Sequence, residues 1–223
     1  LSGIDQLQGE MVEVNISGRN NVRGILIENG MDILVIFDGE IYFYIPLIHV
    51  QNVKMSPLED NEEKIELDED LPSFINHETI SYRKMLTNAK GRFVEVFVTG
   101  NKTIHGYITS ILNDYLVFYS PVYKTMFISL SHIKWVTPYI STLTPFTLSN
   151  EKLPLQPSNI SVSRNFEEQL KKQQGKLVVF DMGEDSEKIG LLKNVDNNII
   201  EMANANGKMI FWKLSHLKTI HLP

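Results

Sequence analysis

Three histidines stand in the same short run: Leu47-Ile-His49-Val50 with Val53, Leu130-Ser-His132-Ile133 with Val136, and Leu214-Ser-His216-Leu217 with Ile220. Imidazole titrates near neutrality, ligates metals and both donates and accepts hydrogen bonds. His49, His132 and His216 are therefore candidates for base contact or metal binding. Metal-ligand spacing is missing, because neighbouring histidines lie about 80 residues apart with no carboxylate or thiol in the motif, and no metal site is expected. Their identical local context favours a structural role, with each ring capping the turn into the strand that follows.

A second set could hold a polyanion. Arg92, Lys102, His105, Lys124, Lys134 and Trp135, with Tyr115, Tyr119 and Tyr123, mix cations and rings in the middle of the chain. Such a mix grips single-stranded nucleic acid by pairing with phosphates and stacking on bases. The net charge of −6 rules out a basic field over the whole molecule. Residues 79–139 are nonetheless basic, with seven Lys/Arg against two Asp/Glu, and residues 56–78 are acidic, with one against nine. The competing reading is an ordinary barrel with a charged exterior and an aromatic core.

Catalytic chemistry finds no support. No glycine-rich phosphate loop follows a strand, and no Gly-x-Ser-x-Gly elbow is present. Asp181, Glu184, Asp185 and Glu187 share one glycine-containing turn, which reads as an exposed loop. No catalytic residue and no cofactor is expected, and the protein reads as a non-enzyme. Cysteine is absent, so disulfides and thiolate sites are absent too. No apolar run approaches the length of a membrane span, and Leu1 does not open a signal peptide.

The elements that must position these residues recur three times. Gly9, Gly91 and Gly175 open the repeats, and Gly18, Gly100 and Gly183 sit in the first turn. Gly24, Gly106 and Gly190 fall inside the second strand, where a missing side chain permits a sharp bend or close backbone approach. Asp38-Gly39 and Asn206-Gly207 are hairpin turns. Short runs rich in β-branched and aromatic residues lie between, so each repeat reads as a five-stranded antiparallel barrel. A helix precedes each glycine: the tail at residues 1–8, the run from Thr79 to Lys90, and one capped by Ser163 with Phe166 and Leu170 on one face.

The fold class is thus mainly β, with three tandem Sm-like or SH3-like barrels, each preceded by a short helix. The domains are barrel one at 1–55, an acidic linker at 56–78, and helix plus barrel two at 79–138. A Ser/Thr/Pro-rich linker follows at 139–162, then helix plus barrel three at 163–223.

That order, with a glycine in a bent second strand and a short last strand, resembles the Sm-like fold, including the bacterial RNA chaperone Hfq. The resemblance implies a base-contacting Asn at the end of an Asp-x-x-x-Asn loop. The matching residues are Asp32, Tyr115 and Asn198, so only Asn198 keeps the type. The family's Lys-His pair matches Ile48-His49, Ser131-His132 and Ser215-His216, where the histidine is kept and the lysine lost. The middle repeat carries the runs Thr99-Gly-Asn-Lys102 and Tyr115-x-Val-Phe-x-Ser-Pro-x-Tyr123, and in these it is also similar to small uncharacterised proteins of Bacillus-type spore formers, some described as spore-coat-associated. The leading expectation is a structural or assembly protein that binds itself or other proteins through barrel edges, in the cytoplasm or a spore coat. The alternative is a single-stranded RNA- or DNA-binding protein acting through the middle repeat.

Overall fold

Alternating apolar residues become strands in every repeat. The computed structural model describes residues 2–57, 65, 73–74, 80–139, 145–147 and 160–223. Both proposed linkers fall largely outside these residues. In the first repeat α1 (Ser2–Asp5) leads to β1 (Met11–Ile16), β2 (Asn20–Asn29), β3 (Ile33–Phe37), β4 (Tyr42–Pro46) and β5 (Val50–Met55). The second has α2 (Tyr82–Ala89), β6 (Phe93–Val98), β7 (Lys102–Ile111), β8 (Tyr115–Ser120), β9 (Lys124–Ser129) and β10 (Ile133–Pro138). The third has α3 (Phe166–Lys171), β11 (Leu177–Phe180), β12 (Ile189–Asp196), β13 (Ile199–Asn204), β14 (Met209–Lys213) and β15 (Thr219–His221). A single 3-10 turn separates the last two strands each time, at Leu47–His49, Leu130–His132 and Leu214–His216.

The burial pattern repeats with the strands. Val12, Val14 and Ile16 point inward from β1, as Val94, Val96 and Val98 do from β6. In the first repeat those three join Val22, Leu26, Leu34, Ile36 and Ile45, with Leu47, Val50 and Val53 packed against them. All five strands therefore contribute to one core. In the third repeat Val178, Phe180, Leu192, Ile200, Met202, Leu214 and Ile220 do the same, with Phe166 and Leu170 of α3. Ile4 of α1 packs against the first core, and α3 turns its apolar face onto the third.

The second-strand glycines are required by close approach. A Cβ on Gly24 would lie 2.3 Å from the Phe37 carbonyl oxygen, on Gly106 2.1 Å from that of Tyr119, and on Gly190 2.3 Å from that of Ala203. A few residues further on, each of these strands carries an irregularity in its pairing: Leu26/Glu28, Ile108/Ser110 and Leu192/Asn194. Glycine and bulge together bend the strand hard enough to serve both halves of the small core.

The strands do not form three closed barrels. Fifteen antiparallel strands make one unclosed sheet. Each 3-10 turn swings the chain away, so β5 pairs with β1 and β10 with β6 rather than with the strand just before. The outer edge of the fourth strand is left for another repeat. The chain divides into two compact units, Leu1–His105 with Ile133–Pro145, and Gly106–His132 with Phe146–Pro223. Within the first the strand order is β6-β10-β4-β3-β2-β1-β5, and within the second β14-β13-β12-β11-β15-β9-β8-β7. The units thus divide the middle repeat between them. Among the described residues no helix is long and apolar enough to cross a membrane.

Two helix starts differ from expectation. α2 begins at Tyr82, capped by Ser81, not at Thr79. α3 is capped by Asn165, whose Oδ1 accepts the Glu168 N–H at 2.9 Å. Ser163 instead donates its N–H to Gln169 Oε1 (2.8 Å), and its carbonyl accepts the Tyr115 hydroxyl (2.8 Å).

Gly106→Val places a branched side chain against a backbone carbonyl that cannot retreat without breaking the β7–β8 ladder. We expect a loss of about 3 kcal/mol or more in urea unfolding, or no folded protein. Unchanged unfolding would refute the glycine's role.

Candidate functional site

The chain repeats one interface twice. In the first compact unit β10 of the second repeat lies antiparallel on β4 of the first, with Val136 opposite Tyr44. In the second unit β15 of the third repeat lies antiparallel on β9 of the second, with Ile220 opposite Phe127, Thr219 opposite Ile128 and His221 opposite Met126. Leu47, Leu130 and Leu214 mark equivalent positions in the three repeats. Tyr44 and Phe127 each stand three places before this leucine, and Val136 and Ile220 each stand six places after it. The two junctions therefore share one register. Both aromatic rings are buried.

A second contact repeats beside the first. The Leu47 N–H bonds the Asp32 carbonyl, Leu130 that of Asp114 and Leu214 that of Asn198, all at 2.9 Å. This fixes the 3-10 turn to the turn between the second and third strands. That turn then holds the helix of the next repeat. Asp32 Oδ1 accepts the Tyr82 N–H at 2.6 Å, and Asp114 Oδ1 accepts the Phe166 N–H at 2.8 Å. Alongside, the Met31 N–H bonds the Ile80 carbonyl and the Asn113 N–H that of Arg164, both at 3.0 Å. The first N–H groups of a helix have no partner inside it, and a carboxylate there also meets the positive end of the helix dipole. The equivalent of Asp32 and Asn198 is thus Asp114, not Tyr115.

Tyr115 lies one residue on and is buried. Its ring sits 5.6 Å from that of Phe166, and its hydroxyl also reaches Gln169 Oε1 at 3.2 Å. Burial pushes this phenol up to about 12, against the lowering effect of the bond to Ser163.

The residues proposed to grip nucleic acid are distributed differently. Trp135 is buried, stacked on Phe97 at 3.8 Å and set edge-on to Phe43 of β4 at 6.0 Å. Lys134 is buried beside it, its Nζ 3.4 Å from Asn101 Oδ1 and 5.7 Å from the Phe97 ring. Both belong to the junction. Arg92 lies over the Phe74 ring at 5.5 Å, His105 Nδ1 is hydrogen-bonded to the Tyr139 hydroxyl at 2.7 Å, and Lys102 opens β7. In the other compact unit Lys124 Nζ donates to the Pro121 carbonyl (3.0 Å), and Asn198 sits in a left-handed turn at φ 64°.

The three histidines do not act alike. His49 Nδ1 bonds Ser17 Oγ at 3.1 Å, tying the 3-10 turn to the first hairpin. His132 Nε2 donates to the Ser215 carbonyl at 2.9 Å, reaching from the second repeat to the third. Burial pulls its pKa below the ordinary value, against the raising effect of that bond. His216 is exposed. Among the described residues no cluster of three His, Asp or Glu is arranged to hold a metal ion.

The acidic turn was expected to be exposed throughout, yet Asp181 is fully buried. It accepts the Lys218 and Thr219 N–H groups (2.8 and 3.1 Å) and the Lys188 ammonium (2.6 Å). It ties β15 to the end of β11, a structural task for a buried charge that has found enough partners.

Sequence reasoning missed the junction residues, although one signal was available. The residue three places before the repeated leucine is aromatic every time: Tyr44, Phe127 and Phe211.

A family model described as the YwrJ third domain matches residues 165–220, from the cap of α3 to β15. The chain is also similar to the "Uncharacterized protein YwrJ" of Bacillus subtilis (strain 168), at 52% identity over 225 residues that cover 100% of both chains.

Asp114→Ala removes the carboxylate that holds α3 and leaves its other contacts in place. We expect a loss of about 1 kcal/mol in chemical unfolding, with Asp114→Asn retaining most of it. An alanine variant as stable as the parent would show that the carboxylate does not position the helix.

Proposed function

Starting from a chain that belongs to the YwrJ family and joins its own repeats strand to strand, we propose that it is a non-enzymatic assembly module. Each repeat is read as a small Sm-like barrel, completed by a strand from its neighbour. Its work is to bind further protein through the strands that its own repeats leave uncovered.

One observation carries this reading. Among the described residues the sheet ends at β14 on one side and at β5 on the other. An open strand edge offers a row of backbone donors and acceptors to any strand that can reach it. Both ends also carry exposed apolar side chains: Met209 and Phe211 on β14, and Met55 on β5, with Ile48 just before it. Covering a ring such as that of Phe211 contributes about 1.5–3 kcal/mol. The nucleic-acid reading lacks comparable support, since Trp135 and Lys134 are buried. A place in a spore coat, implied by the likeness of the middle repeat, is tested by following a fluorescent fusion through sporulation.

Sedimentation velocity over a wide concentration range tests the assembly reading. We expect species at multiples of the 25.6 kDa chain mass, growing with concentration. A single species at the chain mass throughout would overturn it.

A further inference from the structure

We infer that β14 of one chain pairs antiparallel with β5 of a second chain, with Phe211 opposite Val53. This rests on the assembly reading and specifies its interface. The argument is one of repetition. A fourth strand has taken the fifth strand of the following repeat at both places where one follows, β10 on β4 and β15 on β9. Among the described residues two strands are left over, the fourth of the third repeat and the fifth of the first. They are the complementary halves of the same junction.

Exposure at equivalent positions agrees. Phe211 is 63% exposed, whereas Tyr44 is 0% and Phe127 2% exposed. Ile199, at the start of β13, is likewise exposed, whereas its counterparts Ile33 and Tyr115 are fully buried. On the other side β10 and β15 are buried along their whole lengths, while β5 is exposed or half-buried at every residue. The turn at Asn197–Asn198 is also open, although Asp32 and Asp114 at its counterparts each hold a helix.

Carrying the observed register across sets the remaining pairs. Met55 faces Met209, Lys54 faces Ile210, Asn52 faces Trp212 and Gln51 faces Lys213. Two exposed methionines meet, and no charge is set against a like charge, which would oppose pairing. The occupant is therefore another copy of this chain. Joining such ends repeatedly is a heterologous, head-to-tail contact, which closes into a ring or continues as a filament.

The chain has no cysteine, so introduced thiols report without background. Val53→Cys chains are mixed with Phe211→Cys chains under mild oxidation. Directly opposed cross-strand residues lie close enough for a disulfide, so a covalent heterodimer is expected from the mixture and neither self-dimer should match its yield. Phe211→Glu, a change at an exposed position, should weaken association in sedimentation by about tenfold or more. If association persists in Phe211→Glu and the mixture gives no heterodimer, the β14–β5 pairing is overturned while assembly stands. If the parent chain never associates, both readings fall.

Discussion

A strand edge is a row of N–H and C=O groups that must be met by water or by another strand. The whole chain is arranged around that requirement. Each repeat is too small to bury a large core, and its fifth strand goes back to the first rather than closing on the fourth. The fourth strand's edge is therefore always open, and the fifth strand of the following repeat covers it. What would be a liability in an isolated small barrel becomes the means by which the repeats join.

Three local devices keep that joint in register. The second-strand glycines let the strand approach a neighbouring carbonyl more closely than any side chain permits. The leucine that opens each 3-10 turn is bonded to the turn between the second and third strands, which fixes where the fifth strand begins. Asp32 and Asp114 in that turn then hold the next repeat's helix. Strand pairing and helix capping thus locate the same neighbour by two routes, one through the backbone and one through a carboxylate. In the third repeat an asparagine, Asn198, stands at the aspartate position.

Much of this was legible in the residues, and the limits have physical causes. The glycines at 24, 106 and 190 could be read because a backbone collision admits one residue type. Asp38-Gly39 and Asn206-Gly207 could be read because tight hairpins favour left-handed residues, and Gly39 and Gly207 do have positive φ. Closure could not. Five strands round one apolar core give the same alternation whether the last pairs with the first or with both its neighbours. Trp135 looks like part of an exposed grip in the sequence because one of the rings against it is Phe43 of β4, and Lys134 because its ammonium lies beside Gly18; both partners belong to another repeat, far away in sequence. Asp181 was misjudged for a similar reason, since two of its donors, the Lys218 and Thr219 amides, lie more than thirty residues on. Ser163 and Asn165 are both good caps, and only the geometry of the turn chooses between them.

The claim on which the rest depends is that β5 and β14 are strands awaiting partners. Amide hydrogen exchange, followed strand by strand as the protein is concentrated, addresses it directly. We expect the amides of Val50–Met55 and Met209–Lys213 to become slower with concentration while the buried β10 and β15 stay unchanged. Exchange in β5 and β14 that is fast and independent of concentration would contradict it.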